Sequence, residues 1–167
     1  MPVTLIVPAY RVAANAGGGE YVDRAGETWL PDQAFADGSW GWLGDSGRVR
    51  SDHEIAGTED DPLYRDLRRN MFAYRFDDLP PGVYQVELRF AELAQVEPNR
   101  RLFDVILEND LVLPAHDIAL EVGSFAADDH SLFVQVDDGT LDVRSIRRAG
   151  FGRPVANALR VTHRPDR

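Results

Sequence analysis

Alternating apolar and polar residues dominate this chain and predict β-strands. In the clearest segment, residues 84–90, Tyr84, Val86, Leu88 and Phe90 fall on one face of an extended chain. A helix would spread these four apolar side chains around its circumference. Six further segments show a similar pattern: residues 10–14, 71–76, 102–108, 132–136, 141–146 and 158–162.

Turn-forming residues separate these segments. Pro-Pro-Gly at 80–82 precedes the clearest strand, and Asn-Asp at 109–110 and Asp-Asp-Gly at 137–139 are typical of hairpin connections. The only helical turn that we predict lies near residues 62–69. Many short strands with regular turns favour an all-β fold, an antiparallel β-sandwich or barrel. Since no repeat or low-complexity linker interrupts the pattern, we expect one domain over residues 1–167, with its core at about 9–163.

Two long stretches, residues 16–34 and 36–62, look irregular and hold all three tryptophans. Loops of this length in a compact domain are usually functional or mobile. Small residues flank Trp40 and Trp42, so we expect a loop that presents flat rings for stacking on sugars. The alternative is that one or both rings fill the edge of the core.

Charge and composition narrow the possible partners. The chain has 18 basic and 28 acidic residues, a formal net charge of -10, which disfavours nucleic acid and anionic membranes. It has no cysteine, which excludes disulfides and thiol chemistry. The N-terminal segment lacks the pattern of a signal peptide, so we expect a cytoplasmic protein, or an extracytoplasmic one if the chain is excised from a longer exported protein.

Catalytic motifs are weak. Gly-Asp-Ser-Gly at 44–47 resembles the nucleophile motif of trypsin-like proteases, but there the histidine precedes the serine, and the first histidine here is His53. A glycosidase needs two facing carboxylates, and Glu92 with Asp104 is the least implausible pair. A hydrogen-bonding role suits both residues better. We therefore predict that the chain is not an enzyme.

No metal or cofactor is predicted. The four histidines, His53, His116, His130 and His163, show no ligand spacing, and we expect them on the surface or in loops. Acidic clusters such as residues 59–61 could supply calcium ligands, but we expect their carboxylates to be solvated instead.

An ordered set of motifs resembles malectin and malectin-like domains over residues 11–162, nearly the whole chain. The matching positions are Asn15-Ala16-Gly17-Gly18, Asp23, Gly26, Trp29 and Asp32; Asp60-Asp61-Pro62-Leu63-Tyr64 with Arg68; Phe72-Ala73-Tyr74; Gly82-Val83-Tyr84; Phe90-Ala91-Glu92; Arg101-Leu102-Phe103-Asp104-Val105; Asp117-Ile118; and Pro154 with Asn157-Ala158-Leu159. The resemblance implies a jelly-roll-like β-sandwich of the galactose-binding-domain type, with carbohydrate affinity and no catalytic activity. Such domains occur in animal malectins, plant receptor kinases and bacterial proteins.

The chain departs from the family at the sugar contacts that the resemblance implies. Ala94 and Gln95 stand where the family has two adjacent aromatics, Arg69 replaces a tyrosine, and Gly152, followed by Arg153, replaces an aspartate. These substitutions imply a more polar and more basic pocket, which would favour an anionic or strongly polar sugar.

The combined prediction is a non-catalytic module that binds an oligosaccharide. Its candidate ligand-binding residues are Trp40, Trp42, Tyr64, Arg69, Gln95 and Arg153. In this hypothesis Trp40 or Trp42 stacks on the sugar, while Arg69 and Gln95 donate hydrogen bonds. The alternative is a protein-interaction domain that has lost sugar affinity, and the oligomeric state stays open.

Overall fold

A computed structural model describes residues 2–3, 5 and 7–167 of the chain. Within these residues nearly all of the regular secondary structure is β-strand. The strands are β1 Arg11–Asn15, β2 Tyr21–Val22, β3 Thr28–Pro31, β4 Trp40–Leu43, β5 Gly47–Arg50, β6 Asp66–Arg69, β7 Ala73–Phe76, β8 Gly82–Phe90, β9 Phe103–Leu107, β10 Asp110–His116, β11 Asp128–Val136, β12 Leu141–Arg147, β13 Val155–Ala156 and β14 Ala158–His163. Two helices, α1 Asp61–Tyr64 and α2 Ile118–Val122, complete the described elements.

Two larger sheets form the sandwich. One has the strand order β11-β8-β14-β1-β3-β2, the other β10-β9-β12-β7-β4, and a small sheet β13-β6-β5 lies beside them. The pairing is antiparallel throughout these sheets except between β1 and β3. The predicted all-β antiparallel sandwich is therefore confirmed.

The core follows the predicted alternation. Every second residue of β8 is buried, from Tyr84 to Phe90, and the same is true of Phe103 to Leu107 in β9. The rings of Phe90 and Phe103 meet across the two sheets with their centroids 5.7 Å apart. All seven segments that we predicted as strands contain one, namely β1, β7, β8, β9, β11, β12 and β14. Burial of one face of each long strand therefore holds the sandwich together.

The two stretches predicted to be irregular hold four short strands, β2 to β5. Trp29 lies on β3 and is fully buried. On β4, Gly41 has a φ of 157°, and a Cβ there would lie 2.4 Å from the Phe35 backbone nitrogen, so a neighbouring loop can pack directly on the strand. Strands of two to four residues are too short to show an alternation, and this explains the error.

One of the two predicted hairpin connections is confirmed and the other is wrong. Residues 109–110 do join a hairpin, since Asp110 pairs with Leu107. Residues 137–139 instead carry the chain from β11 in one sheet to β12 in the other, so they form a crossover. The predicted helical turn is confined to α1 and is followed at once by β6, while α2, which Asp117 caps by accepting from the Leu120 backbone N–H, was missed. In the described part of the chain, neither helix has the length or the apolar character to cross a membrane.

An ion-pair network ties the β1–β3 region to β14. Arg160 pairs with both Glu87 and Glu27, and Arg11 donates to Glu27 over 2.8 Å. Burial alone would raise the pKa of Glu27, but the hydrogen bonds and positive charge of Arg11 and Arg160 outweigh it and lower that pKa. The ionised form of Glu27 is therefore part of the folded state.

Candidate functional site

One end of the sandwich gathers four segments that connect the strands, here called the rim: residues 51–60, 91–102, 117–127, which include α2, and 148–154. The register of the sheets brings them together, because Phe90 pairs with Asp128 and Phe103 pairs with Arg147. A bridge between Ala56 and Ala126 joins the first segment to the third. Loops held by a rigid sheet are where binding residues usually lie.

A buried asparagine fixes where the rim begins. Asn157 is fully buried; its Oδ1 accepts from the Ala91 backbone N–H over 2.8 Å, and its Nδ2 donates to the Tyr64 carbonyl over 2.9 Å. One side chain thus satisfies two main-chain groups that come from distant parts of the sequence. The path of residues 91–102 starts from this anchor.

An ion pair joins the two ends of the segment 91–102. Glu92 is only 2% exposed, and Arg101 donates to it from Nε over 2.7 Å. Arg101 also donates to the Arg153 carbonyl, and the Gly152 N–H donates to the Arg100 carbonyl over 2.8 Å. The segments 91–102 and 148–154 are therefore locked together.

Two adjoining cavities open on the rim and share one residue, Gln95. One, of about 370 Å³, is lined by Gln95, Val96, Glu97, Arg100, Arg101 and Gly152. The other, of about 340 Å³, is lined by His53, Glu54, Ala56, Gln95, Ser124 and Phe125. We call the two together the rim groove. Their size is that of small-molecule sites.

A strained residue supplies the aromatic part of the groove. Phe125 has a φ of 56°, in the left-handed region that bulky residues rarely adopt. Its N–H donates to the Glu92 carbonyl and its own carbonyl accepts from Ala56, both over 2.9 Å. The ring of exposed His53 stacks on Phe125 with centroids 3.8 Å apart and planes 17° apart. Strain maintained in this way is typical of functional sites.

Three of the residues predicted from the sequence lie at this end. Gln95 lines both cavities. Arg153 is exposed beside Gly152, and exposed Arg69 pairs in register with Val155, two residues further along the chain. The structure therefore brings Arg69, Gln95 and Arg153 to one end of the sandwich.

Trp40 requires a correction. It is 7% exposed on β4 and its ring stacks on Phe76, with centroids 6.3 Å and planes 14° apart. A ring in this position fills the core, as the alternative interpretation held, and has no face free for a sugar. Trp42 is half-buried, and the Arg68 guanidinium covers its ring at 4.4 Å from the centroid.

Tyr64 is also a core residue. It is fully buried in α1, where its hydroxyl donates to Asp129 and accepts from Arg89. Burial raises the pKa of this hydroxyl, and the hydrogen bond to Asp129 raises it further. The residues that line the rim groove do not include Trp40, Trp42 or Tyr64.

The glycosidase pair considered from the sequence has structural partners. Glu92 is bonded to Arg101, and Asp104 accepts from the Ala115 N–H over 2.7 Å and from Arg148. Burial tends to raise the pKa of Asp104, but these bonds outweigh it and lower that pKa. A general acid needs the opposite shift.

Comparison with known proteins gives a consistent family. The model of the malectin domain matches residues 10–161. Malectin of Mus musculus is 31% identical over 134 residues, which are 79% of this chain and 45% of that protein. Malectin-B of Xenopus laevis is 29% identical over the same share of this chain. The chain spans less than half the length of the malectins that it matches.

Solved structures give the same fold. A β-glucuronidase of Bacteroides uniformis superposes with a TM-score of 0.85 at 29% identity, over 93% of this chain and 18% of that one. The ANX2 ectodomain of Arabidopsis thaliana superposes with a TM-score of 0.74 at 17% identity, over 91% of this chain and 49% of that one. The fold is thus also found as a part of larger proteins.

Proposed function

Since the chain belongs to the malectin domain family, we propose that it is a non-catalytic carbohydrate-binding module whose rim groove holds a sugar with an acidic group. The observation that carries this proposal is the groove itself, in which an exposed imidazole stacked on Phe125, the Gln95 amide and Arg100 line adjoining cavities.

Each of these groups suits one part of a sugar. The flat face of His53 can pack on the apolar face of a pyranose ring, and the Gln95 amide can both donate to and accept from hydroxyl groups. The carboxylates of Glu54 and Glu97, which also line the groove, accept from further hydroxyls. Sugars offer this combination of apolar faces and hydroxyl groups.

The arginines favour a negative charge on the ligand. Arg100 lines the groove, and Arg69 and Arg153 are exposed at the same end of a protein whose net charge is -10. Guanidinium groups bind carboxylates through paired, charge-assisted hydrogen bonds. The structurally similar Bacteroides uniformis protein is named for its action on glucuronides, which carry such a carboxylate. A uronic-acid sugar is therefore the ligand class that we propose.

Calorimetric titration with uronic-acid oligosaccharides and with neutral oligosaccharides of equal length tests the proposal. We expect dissociation constants of about 1 µM to 1 mM for the acidic series, weakening as salt is raised, and at least tenfold weaker binding of the neutral series. Release of reducing ends during the titration would contradict the non-catalytic part of the proposal.

Substitutions in the rim groove test whether the sugar binds there. Gln95→Ala and Arg100→Gln should each weaken acidic-sugar binding at least fivefold. Arg24→Gln is the matched control, because Arg24 is exposed and its ion pair is with Glu59, outside the groove. Binding that survives both groove substitutions unchanged, or silence across a broad glycan array together with specific capture of a protein, would overturn the proposal.

A further inference from the structure

Two histidines and an aspartate from two different strands converge outside the rim groove. His116 ends β10, and Asp128 and His130 begin β11, with helix α2 between them in the chain. The Nε2 of His116 lies 2.6 Å from Asp128 Oδ2, and the Nε2 of His130 lies 3.0 Å from Asp128 Oδ1. The ligand-type atoms of the three side chains all lie within 4.8 Å of one another. The expectation that the histidines lie on the surface or in loops is therefore wrong for His116, which is buried on β10, and for His130, which lies on β11.

The fold itself creates this convergence. Asp128 and His130 are two residues apart on one strand, so they project from the same face. His116 reaches them from the other large sheet. The rings of Phe90 and Phe103 flank His116 at centroid distances of 5.3 and 5.9 Å. Three ligand groups thus meet at a place shielded largely by aromatic side chains.

We propose that His116, Asp128 and His130 form a binding site for a divalent transition-metal ion of the Zn²⁺ type. Zinc binds imidazole nitrogen and carboxylate oxygen at about 2.0–2.2 Å, which places tetrahedral ligand atoms about 3.3 Å apart. The observed separations of 2.6 and 3.0 Å, from the two imidazoles to the two oxygens of Asp128, lie within about 1 Å of that value, and the ligand-type atoms all lie within 4.8 Å of one another.

The donor set and the burial specify the kind of ion. Two imidazoles and one carboxylate suit zinc, cobalt or nickel, whereas calcium and magnesium prefer six or more oxygen ligands. The side chains of His116 and Asp128 are 6% and 7% exposed, while that of His130 is 23% exposed. The ion therefore has a way in past His130, and water can occupy its fourth position.

Titration of the tag-free chain with Zn²⁺ against a chromogenic chelator measures this binding. We expect one saturable site per chain, no displacement of zinc by Ca²⁺, and visible absorption bands of a four-coordinate ion when Co²⁺ replaces Zn²⁺. Absence of a saturable site in the wild-type chain would overturn the proposal, since the cluster would then be held by hydrogen bonds alone.

Substitutions assign the ligands. His116→Gln and His130→Gln should each weaken Zn²⁺ binding at least tenfold, while His163→Gln, on β14 and outside the cluster, should leave it unchanged. Circular dichroism checks the fold of each variant. If His116→Gln does not fold, the more exposed His130→Gln decides: wild-type zinc affinity in that variant would refute the assignment.

Discussion

Replacing Asn157 by alanine should destabilise the protein more than any surface substitution. The change leaves the Ala91 N–H and the Tyr64 carbonyl without the partners that now lie at 2.8 and 2.9 Å. An unsatisfied buried polar group costs about 1–3 kcal/mol, so two of them cost about 2–6 kcal/mol in the free energy of unfolding. A domain with about 5–15 kcal/mol of stability loses a large fraction of it in this way.

Urea unfolding at neutral pH, followed by tryptophan fluorescence, measures this loss. Asn109→Ala, at an exposed turn position, is the control and should change the free energy of unfolding by less than about 0.5 kcal/mol. A loss below about 1 kcal/mol for Asn157→Ala, with an unchanged dependence on urea, would refute the argument, because it would mean that both main-chain groups find other partners at little cost.

Three further outcomes are expected. Arg101→Gln and Glu92→Gln should each lower the free energy of unfolding by about 1–3 kcal/mol. In urea unfolding the double variant should lose less than the sum of the two single losses, because each single substitution already breaks the ion pair. The pKa of Glu27 is lowered in the folded protein, so its contribution to the free energy of unfolding is fully present above about pH 5 and is lost as the pH falls through its folded pKa. Urea unfolding between pH 6 and pH 3 should therefore show a smaller acid loss of stability in Glu27→Gln than in the wild-type chain. Phe125→Gly relieves the strain of a φ of 56° but removes the ring beneath the His53 imidazole, so calorimetry should show weaker sugar binding with little change in Tm. The control Phe133→Ala, on the exposed side of β11, should not affect binding.

The sequence predicted the parts of the fold in which one strand is long enough to repeat its pattern. Residues 84–90 alternate over seven positions and lie in β8, which pairs with β11 on one side and β14 on the other. The pattern could not reveal β2, because the two residues Tyr21 and Val22 are too few to show an alternation. It could not reveal β5 either, because glycine takes one of that strand's two half-buried positions, Gly47 and Val49. Trp40 was misjudged because the glycines around it, Gly38, Gly41 and Gly44, are typical of a loop, whereas Trp40 and Gly41 lie in the edge strand β4.

The groove was predictable only in part. Gln95 and Arg153 were identified through the resemblance to malectin domains, since the order of motifs places them on loops at one end. His53 and Phe125 carry no pattern of their own, because their meeting depends on the bridge between Ala56 and Ala126, which joins distant segments. Such a contact exists only once the sheets have formed.

The residues that match the family motifs contribute to the stability of the fold, whereas the exposed groove residue Gln95 contributes little to it. Asn157 satisfies two buried main-chain groups, and fully buried Trp29 donates from Nε1 to Asp23 over 2.9 Å, so replacing any of them leaves a polar group unpaired. Gln95 is exposed rather than buried, so a substitution there should change the free energy of unfolding very little. Family membership therefore specifies the sandwich and its rim, while the ligand must be argued from the side chains that this chain places in the groove.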